Sequence, residues 1–305
     1  MKKLFTILAV AAAVVACQKN EIVALDNGEA ISFGNAFVEN ATRATDPSYG
    51  AVALTKFNVY GTVTGTGNGV VNIFAGDEVT GTVGNDVWTC ANKQYWIKDA
   101  QYKFAAVASG NVATTDTNGM PATISTIANA NNNVEDLLYA TATATGKASG
   151  NGKVDFTFNH MLSKAFFTVT SNTEGGYYYS VKGIEVANYS AGTYTIGGSW
   201  AGTTAANVEF GDIIEVTEES GAKTNATQML LIPTTDDFKV TFTVEIYKDN
   251  QLLGTTDYEK TVTTDLEMGN VYDFRLALSV GELIEFTVTT NPTWTPATGG
   301  TQITL

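Results

Sequence analysis

The sequence predicts an all-β protein built from two β-sandwich domains in tandem. Three observations carry this prediction. Apolar residues recur with period two, and no long stretch shows helical periodicity. Thr, Val, Tyr and Phe, which suit a pleated and half-buried surface, fill the alternating segments. Those segments fall into two groups, residues 52–160 and 165–290, each about the size of a seven-stranded sandwich.

Taken in order, the chain opens with Lys2 and Lys3 and the apolar run LFTILAVAAAVVA at residues 4–16. The run is too short to span a bilayer and has the form of an export signal. It stops at Cys17 and turns polar at once, as in a bacterial lipobox, so residues 1–16 read as a lipoprotein signal peptide and Cys17 as the lipidated residue. An ordinary secretory signal, with Cys17 incidental, is the alternative. A lipid there tethers the protein to a membrane surface without spanning it. EAISFGNAF, residues 29–37, is strand-like, with Ile31, Phe33 and Phe37 spaced to share one face. FVENATRATD, residues 37–46, is turn-rich and holds Arg43, one of only two arginines in the chain.

Further strands are predicted at KVDFTF (153–158) and KAFFTVTS (164–171). KVTFTVEIY (239–247) sets Val240, Phe242, Val244 and Ile246 against Thr241, Thr243 and Glu245. LIEFTVTT (283–290) sets Ile284, Phe286 and Val288 against Glu285, Thr287 and Thr289. Each such strand is expected to bury one face and solvate the other. Hairpin loops are predicted at 64–69, 172–176, 189–192, 247–251 and 267–270. The segment 124–140 reads as a long Asn-rich loop with a helical turn near Val134–Leu138. The domain joint falls near Met161–Lys164, and no internal sequence repeat is evident. After Trp294 comes TPATGGTQITL (295–305), in which Pro296 and Gly299-Gly300 form a hinge. Thr301, Ile303 and Leu305 then share one face. This tail is either a donor strand for a neighbouring molecule or the last edge strand of its own domain.

Composition excludes several classes of function. The chain of 305 residues is 44% hydrophobic and 16% charged, which supports a sizeable core. Its net charge of −14 argues against nucleic acid as a partner. His160 is the only histidine, so no histidine cluster for zinc exists, and a catalytic triad would have to use this one residue. A structural role for His160 at the domain joint is expected. No Asp-x-Asp-x-Asp calcium loop occurs. Nothing gathers carboxylates beside tryptophans in the manner of a glycosidase. Trp88 and Trp96 lie close together and read as core, with a sugar platform as the alternative. Cys90 reads as a small buried apolar residue. The expectation is a protein without catalytic residues, metal or cofactor.

Several stretches together resemble the fimbrillin family, the subunits of the type V pili of Bacteroidia. The lipobox is one. FNHMLSKAFFTV (158–169) resembles the family's Phe-x-His-x-Leu-Ser-Lys junction through Phe158, His160, Leu162, Ser163 and Lys164. MLLIPTT (229–235) resembles a strand of the family's second domain, and LEMGNVYDFRLAL with IEFTVTTNPTW (266–294) its closing strands. The resemblance implies two transthyretin-like β-sandwich domains. It divides the chain into the signal 1–16, a propeptide 17–43 with a removable strand, an N-terminal domain 44–162 and a C-terminal domain 163–305.

The resemblance also implies a mechanism. The subunit is exported as an outer-membrane lipoprotein and cut between Arg43 and Ala44 at the cell surface. The cut removes the first strand, and a strand from another subunit fills the groove. A homopolymeric, surface-exposed and then extracellular fimbrium that supports adhesion to a host surface or glycan follows. The competing reading is an outer-membrane glycan-binding lipoprotein that stays lipidated.

Overall fold

The computed structural model describes residues 29–38, 54–65, 67, 69–81, 88–128, 134–147, 151–172, 175–217, 222–224, 228–279, 285–291 and 301–304. These residues are all-β. The first ten strands are β1 (Ser32–Val38), β2 (Lys56–Thr64), β3 (Val71–Thr80), β4 (Thr89–Cys90), β5 (Gln101–Ala108), β6 (Gly110–Thr115), β7 (Pro121–Thr126), β8 (Leu138–Thr145), β9 (Lys153–His160) and β10 (Ser163–Asn172). The rest are β11 (Tyr177–Thr195), β12 (Trp200–Phe210), β13 (Ile214–Thr217), β14 (Ala222–Thr224), β15 (Met229–Leu231), β16 (Phe238–Lys248), β17 (Gln251–Val262), β18 (Val271–Ser279), β19 (Glu285–Asn291) and β20 (Thr301–Thr304).

They form three sheets. The first has the order β1-β9-β8-β5-β2-β3-β4. The second has the order β14-β10-β18-β19-β20, with β15 also on β10. The third has the order β17-β16-β11-β7-β6, with β12 and β13 also on β11. The second and third sheets enclose one core. Phe167, Phe274 and Phe286 from the second sheet meet Phe242 and Phe210 from the third. The first core draws on the first sheet and on the segment around Trp88, Trp96 and Ala100. Both tryptophans are core residues at 5% exposure, which removes the sugar-platform alternative.

Between these cores lies a third apolar cluster, including Val107, Ile124, Leu137, Leu162, Tyr194 and Ile232. Here the third sheet recruits two strands from the N-terminal half. The β6–β7 hairpin pairs with the far end of β11, Ser125 opposite Thr193. His160 sits beside this cluster, and its Nδ1 hydrogen-bonds Asp136 Oδ2 at 2.9 Å. The expected joint at Met161–Lys164 covers the β9–β10 connection and the first two residues of β10.

One local arrangement recurs in the two halves, although no sequence repeat announces it. The buried Tyr102 hydroxyl accepts from Ile97 N (2.7 Å) and donates to Tyr95 O (3.2 Å). The buried Tyr272 hydroxyl accepts from Glu267 N (2.7 Å) and donates to Asp265 O (2.8 Å). Both bonds reach back five and seven residues, and each tyrosine opens a strand that feeds its own core. Burial raises the pKa of both phenols above the ordinary value.

Three sequence expectations need correction. YSAG at 189–192 is no hairpin loop; it lies inside β11, which absorbs it with register shifts around Ala191. Asn188 holds the strand there by accepting from Ile232 N and donating to Ile232 O. No helical turn occurs at Val134–Leu138; Val134 bridges Ala128 and β8 begins at Leu138. The solvated face expected of β10 and β19 is also buried, at Lys164, Thr168, Thr287 and Thr289. Threonine is polar by class but compact and β-compatible, so a Thr-rich alternation does not guarantee a wet face.

Candidate strand-exchange site

The strand that the resemblance implies is removable, β1, is an edge strand by order and a core strand by burial. Its sequence explains both. Ile31 and Phe33 alternate inward, and the short Ala36 follows at a register shift between Phe33 and Ala36. The inward face therefore passes from Phe33 to Ala36; the side chain of Phe37, expected on that face, lies outside the described residues. On one side β1 pairs in parallel with β9, Phe33 opposite Val154 and Ala36 opposite Phe156. On the other it touches the segment around β4. Ala30 bridges Tyr95, Phe33 bridges Trp88, Ile31 N donates to Gln94 O (2.7 Å), and Trp96 N donates to Glu29 O (3.0 Å). β1 thus joins the two ends of the first sheet, β9 and the 88–96 segment, and closes it around its core.

Phe33 is the plug of that closure. It is 1% exposed, stacks on Phe156 at 6.1 Å, and meets Phe74 edge-on at 5.5 Å and Phe57 at 6.2 Å. Burying an aromatic of this size contributes about 1.5–3 kcal/mol by area. Ile31 at 7% and Ala36 at 3% fill the flanks. Without β1, the slot would be lined by Phe57, Phe74, Trp88 and Phe156 and framed by the free backbone edges of β9 and residues 94–96. Such an open edge is a template for another strand.

At the other terminus, β20 pairs antiparallel with β19, Ile303 opposite Val288 and Thr301 opposite Thr290. Among the described residues, Thr301–Thr304 therefore lie at the edge of their own sheet. Of the residues singled out from the sequence, Thr301 and Ile303 are in this strand. Cys17, Arg43, Ala44 and Leu305 lie outside the described residues. β1 is upstream of Arg43 and shares no sheet with β20, so the structure places the two terminal strands in different halves. Sequence reasoning missed Trp88 and residues 94–96 as the second wall of the slot; the signal available was only their nearness in sequence to β4.

Among the described residues, no group of His, Cys, Asp and Glu is placed to hold a metal ion. Cys90 is half-buried against the first core, and burial pushes its thiol pKa up.

A family described as fimbrillin-like matches residues 42–294, so β1 and β20 lie outside the matched stretch. A fimbrial protein from Bacteroides vulgatus has a similar structure, with a TM-score of 0.65 at 18% identity, covering 87% of this chain and 99% of its own. A candidate cell adhesion protein from Bacteroides ovatus is similar at a TM-score of 0.52 and 16% identity, covering 87% of this chain and 97% of its own. No curated protein matches the sequence. The two structural likenesses speak for the fold.

Proposed function

The chain belongs to the fimbrillin-like family, and from that premise we propose that it is a fimbrial subunit assembled by strand exchange after removal of β1. The family is one of structural fimbrial proteins rather than enzymes, and its members assemble with other fimbrial subunits at the cell surface. In the proposed path, Cys17 carries the lipid that holds the precursor at the outer membrane. A protease hydrolyses the Arg43–Ala44 bond, which leaves Ala44 as the new N-terminus and releases the lipid and β1 together. A strand from a neighbouring subunit then fills the slot, with main-chain bonds supplying affinity and alternate side chains filling pockets. The tail 295–305, with Thr301, Ile303 and Leu305, is the donor offered to the next subunit. Repeated head to tail, this contact does not close on itself and builds a filament.

The observation that carries this reading is the position of Phe33. A residue upstream of the cut is part of the N-terminal core, so cleavage converts a closed sheet into an acceptor. The glycan-binding alternative is disfavoured by the burial of Trp88 and Trp96. The N-terminus and intact mass of protein recovered from the cell surface test the proposal. A delipidated chain starting at Ala44 is the expected result. A chain that starts at lipidated Cys17 overturns the processing step.

A further inference from the structure

Phe33 is followed by Gly34, and the glycine is buried beneath β9. A Cβ built on Gly34 would stand 2.0 Å from Asp155 Oδ1, 3.0 Å from Lys153 Cβ and 3.2 Å from Asp155 Cγ. Carbon does not approach an oxygen that closely, so any side chain there forces Asp155 to another rotamer and presses on Lys153. Asp155 lies opposite the register shift, between Val154, which faces Phe33, and Phe156, which faces Ala36. Val154 and Phe156 point into the core, while Asp155 is exposed and closes over the outer side of β1.

We propose that Asp155 is a specificity-determining residue of the slot. It favours a strand with glycine beneath it, because any larger residue must displace the Asp155 carboxylate and press on Lys153 Cβ, while the Phe57–Phe74–Phe156 pocket takes the aromatic residue just before that glycine. The inference rests on the proposed strand exchange and names the chemistry of the partner. The occupant is a strand of a different fimbrial subunit that carries an aromatic–glycine pair, with an aliphatic residue two positions before the aromatic. The same contact fixes register. A slip of two residues keeps the inward face inward, but it brings Ser32 or Ala36 under Asp155 in place of Gly34. The chain's own tail reads Thr-Gln-Ile-Thr at 301–304 and has neither an aromatic nor a glycine in that stretch, so the tail of a second copy is a poor fit for this slot; the head-to-tail contact of the proposed filament is then one between unlike subunits, which departs from the homopolymer that the resemblance implies.

The test starts from the intact full chain, cut with an arginine-specific protease in the presence of excess labelled peptide. The peptides are residues 29–38, the same peptide with Gly34→Ala, and residues 295–305. The wild-type chain is expected to incorporate the glycine peptide and to take up the other two at least about fivefold less. The Asp155→Ala chain is expected to take the glycine and alanine peptides to within about twofold of each other. Equal uptake of the alanine or tail peptide by the wild-type chain overturns the proposal. Uptake of no peptide by any chain contradicts strand exchange instead. In that case amide exchange of β1 in the uncut chain decides the steric point. Gly34→Ala should speed it and Asp155→Ala in the same chain should slow it again; an unchanged β1 in Gly34→Ala overturns the proposal.

Discussion

The two halves of the molecule close their cores in different ways. The C-terminal core is held between two sheets drawn almost wholly from residues 163–291, and Phe167, Phe242, Phe274 and Phe286 meet inside it. The N-terminal core is closed by one strand, β1, which comes from upstream of Arg43. Yet both halves start a central strand from the same tyrosine arrangement, at Tyr102 and at Tyr272. Similar local architecture therefore coexists with unequal dependence on the segment upstream of Arg43. A cut after Arg43 is expected to open one half and spare the other.

Loss of the whole of β1 is the largest expected effect. Next comes Phe33→Ala, which should cost about 3–5 kcal/mol. Denaturant unfolding followed by tryptophan fluorescence reads it, because Trp88 and Trp96 both sit in the N-terminal core. Phe274→Ala should cost a similar amount in the C-terminal half. The two substitutions part company after cleavage. Once β1 has left, Phe33→Ala should have no effect on the remaining chain, whereas Phe274→Ala should cost as much as before. Equal effects of Phe33→Ala before and after the cut would break the comparison.

A smaller effect sharpens the likeness rather than the difference. Tyr102→Phe and Tyr272→Phe each leave a backbone N–H, of Ile97 or Glu267, without its acceptor. Each should cost about 1–3 kcal/mol, measured by the same unfolding experiment. Equal losses would show that the two corners do equivalent work, and a loss in one alone would show that they do not.

The pH dependence separates the halves again. Asp273 is buried in the C-terminal half, and burial raises its pKa, against the pull of Thr168 and Arg275. Arg275 Nε donates to its Oδ2 at 2.6 Å. A carboxyl raised on folding favours the folded state most at low pH. Its contribution is complete below the ordinary value near pH ~4 and is lost as pH rises through the raised folded value. Asp273→Asn should flatten that dependence in the C-terminal transition alone, as read by unfolding at a series of pH values. The smallest change is expected of Lys239→Ala. Its pair with Glu259 is more than half exposed, so the loss should not exceed about 1 kcal/mol.

How much of this was legible in the sequence differs by element. β9 was plain, because Val154, Phe156 and Phe158 alternate with exposed residues as written. β1 was legible as a strand from Ile31 and Phe33. Its role was not, because that depends on which edges it meets, and pairing with residues 88–96 leaves no local trace. The shift from Phe33 to Ala36 was hidden for the same reason: Gly34 announces a possible bulge but not the carboxylate lying over it. β11 was cut short at YSAG because turn chemistry was read where long-range bonds from Asn188 carry the strand onward. The tyrosine corners escaped as a repeat because their hydrogen bonds involve backbone atoms, which constrain geometry without constraining residue type at positions 95, 97, 265 and 267.

The central claim is that β1 is a closure for the N-terminal half that cleavage can remove. Amide exchange, measured on the full chain before and after cutting at Arg43, tests it most directly, since local opening shows as lost protection. The account predicts that the 1–43 fragment leaves. It also predicts that protection falls along β9 and residues 94–96, while β11, β16 and β18 keep theirs. Unchanged protection along β9, or a collapse of protection in both halves together, would contradict it.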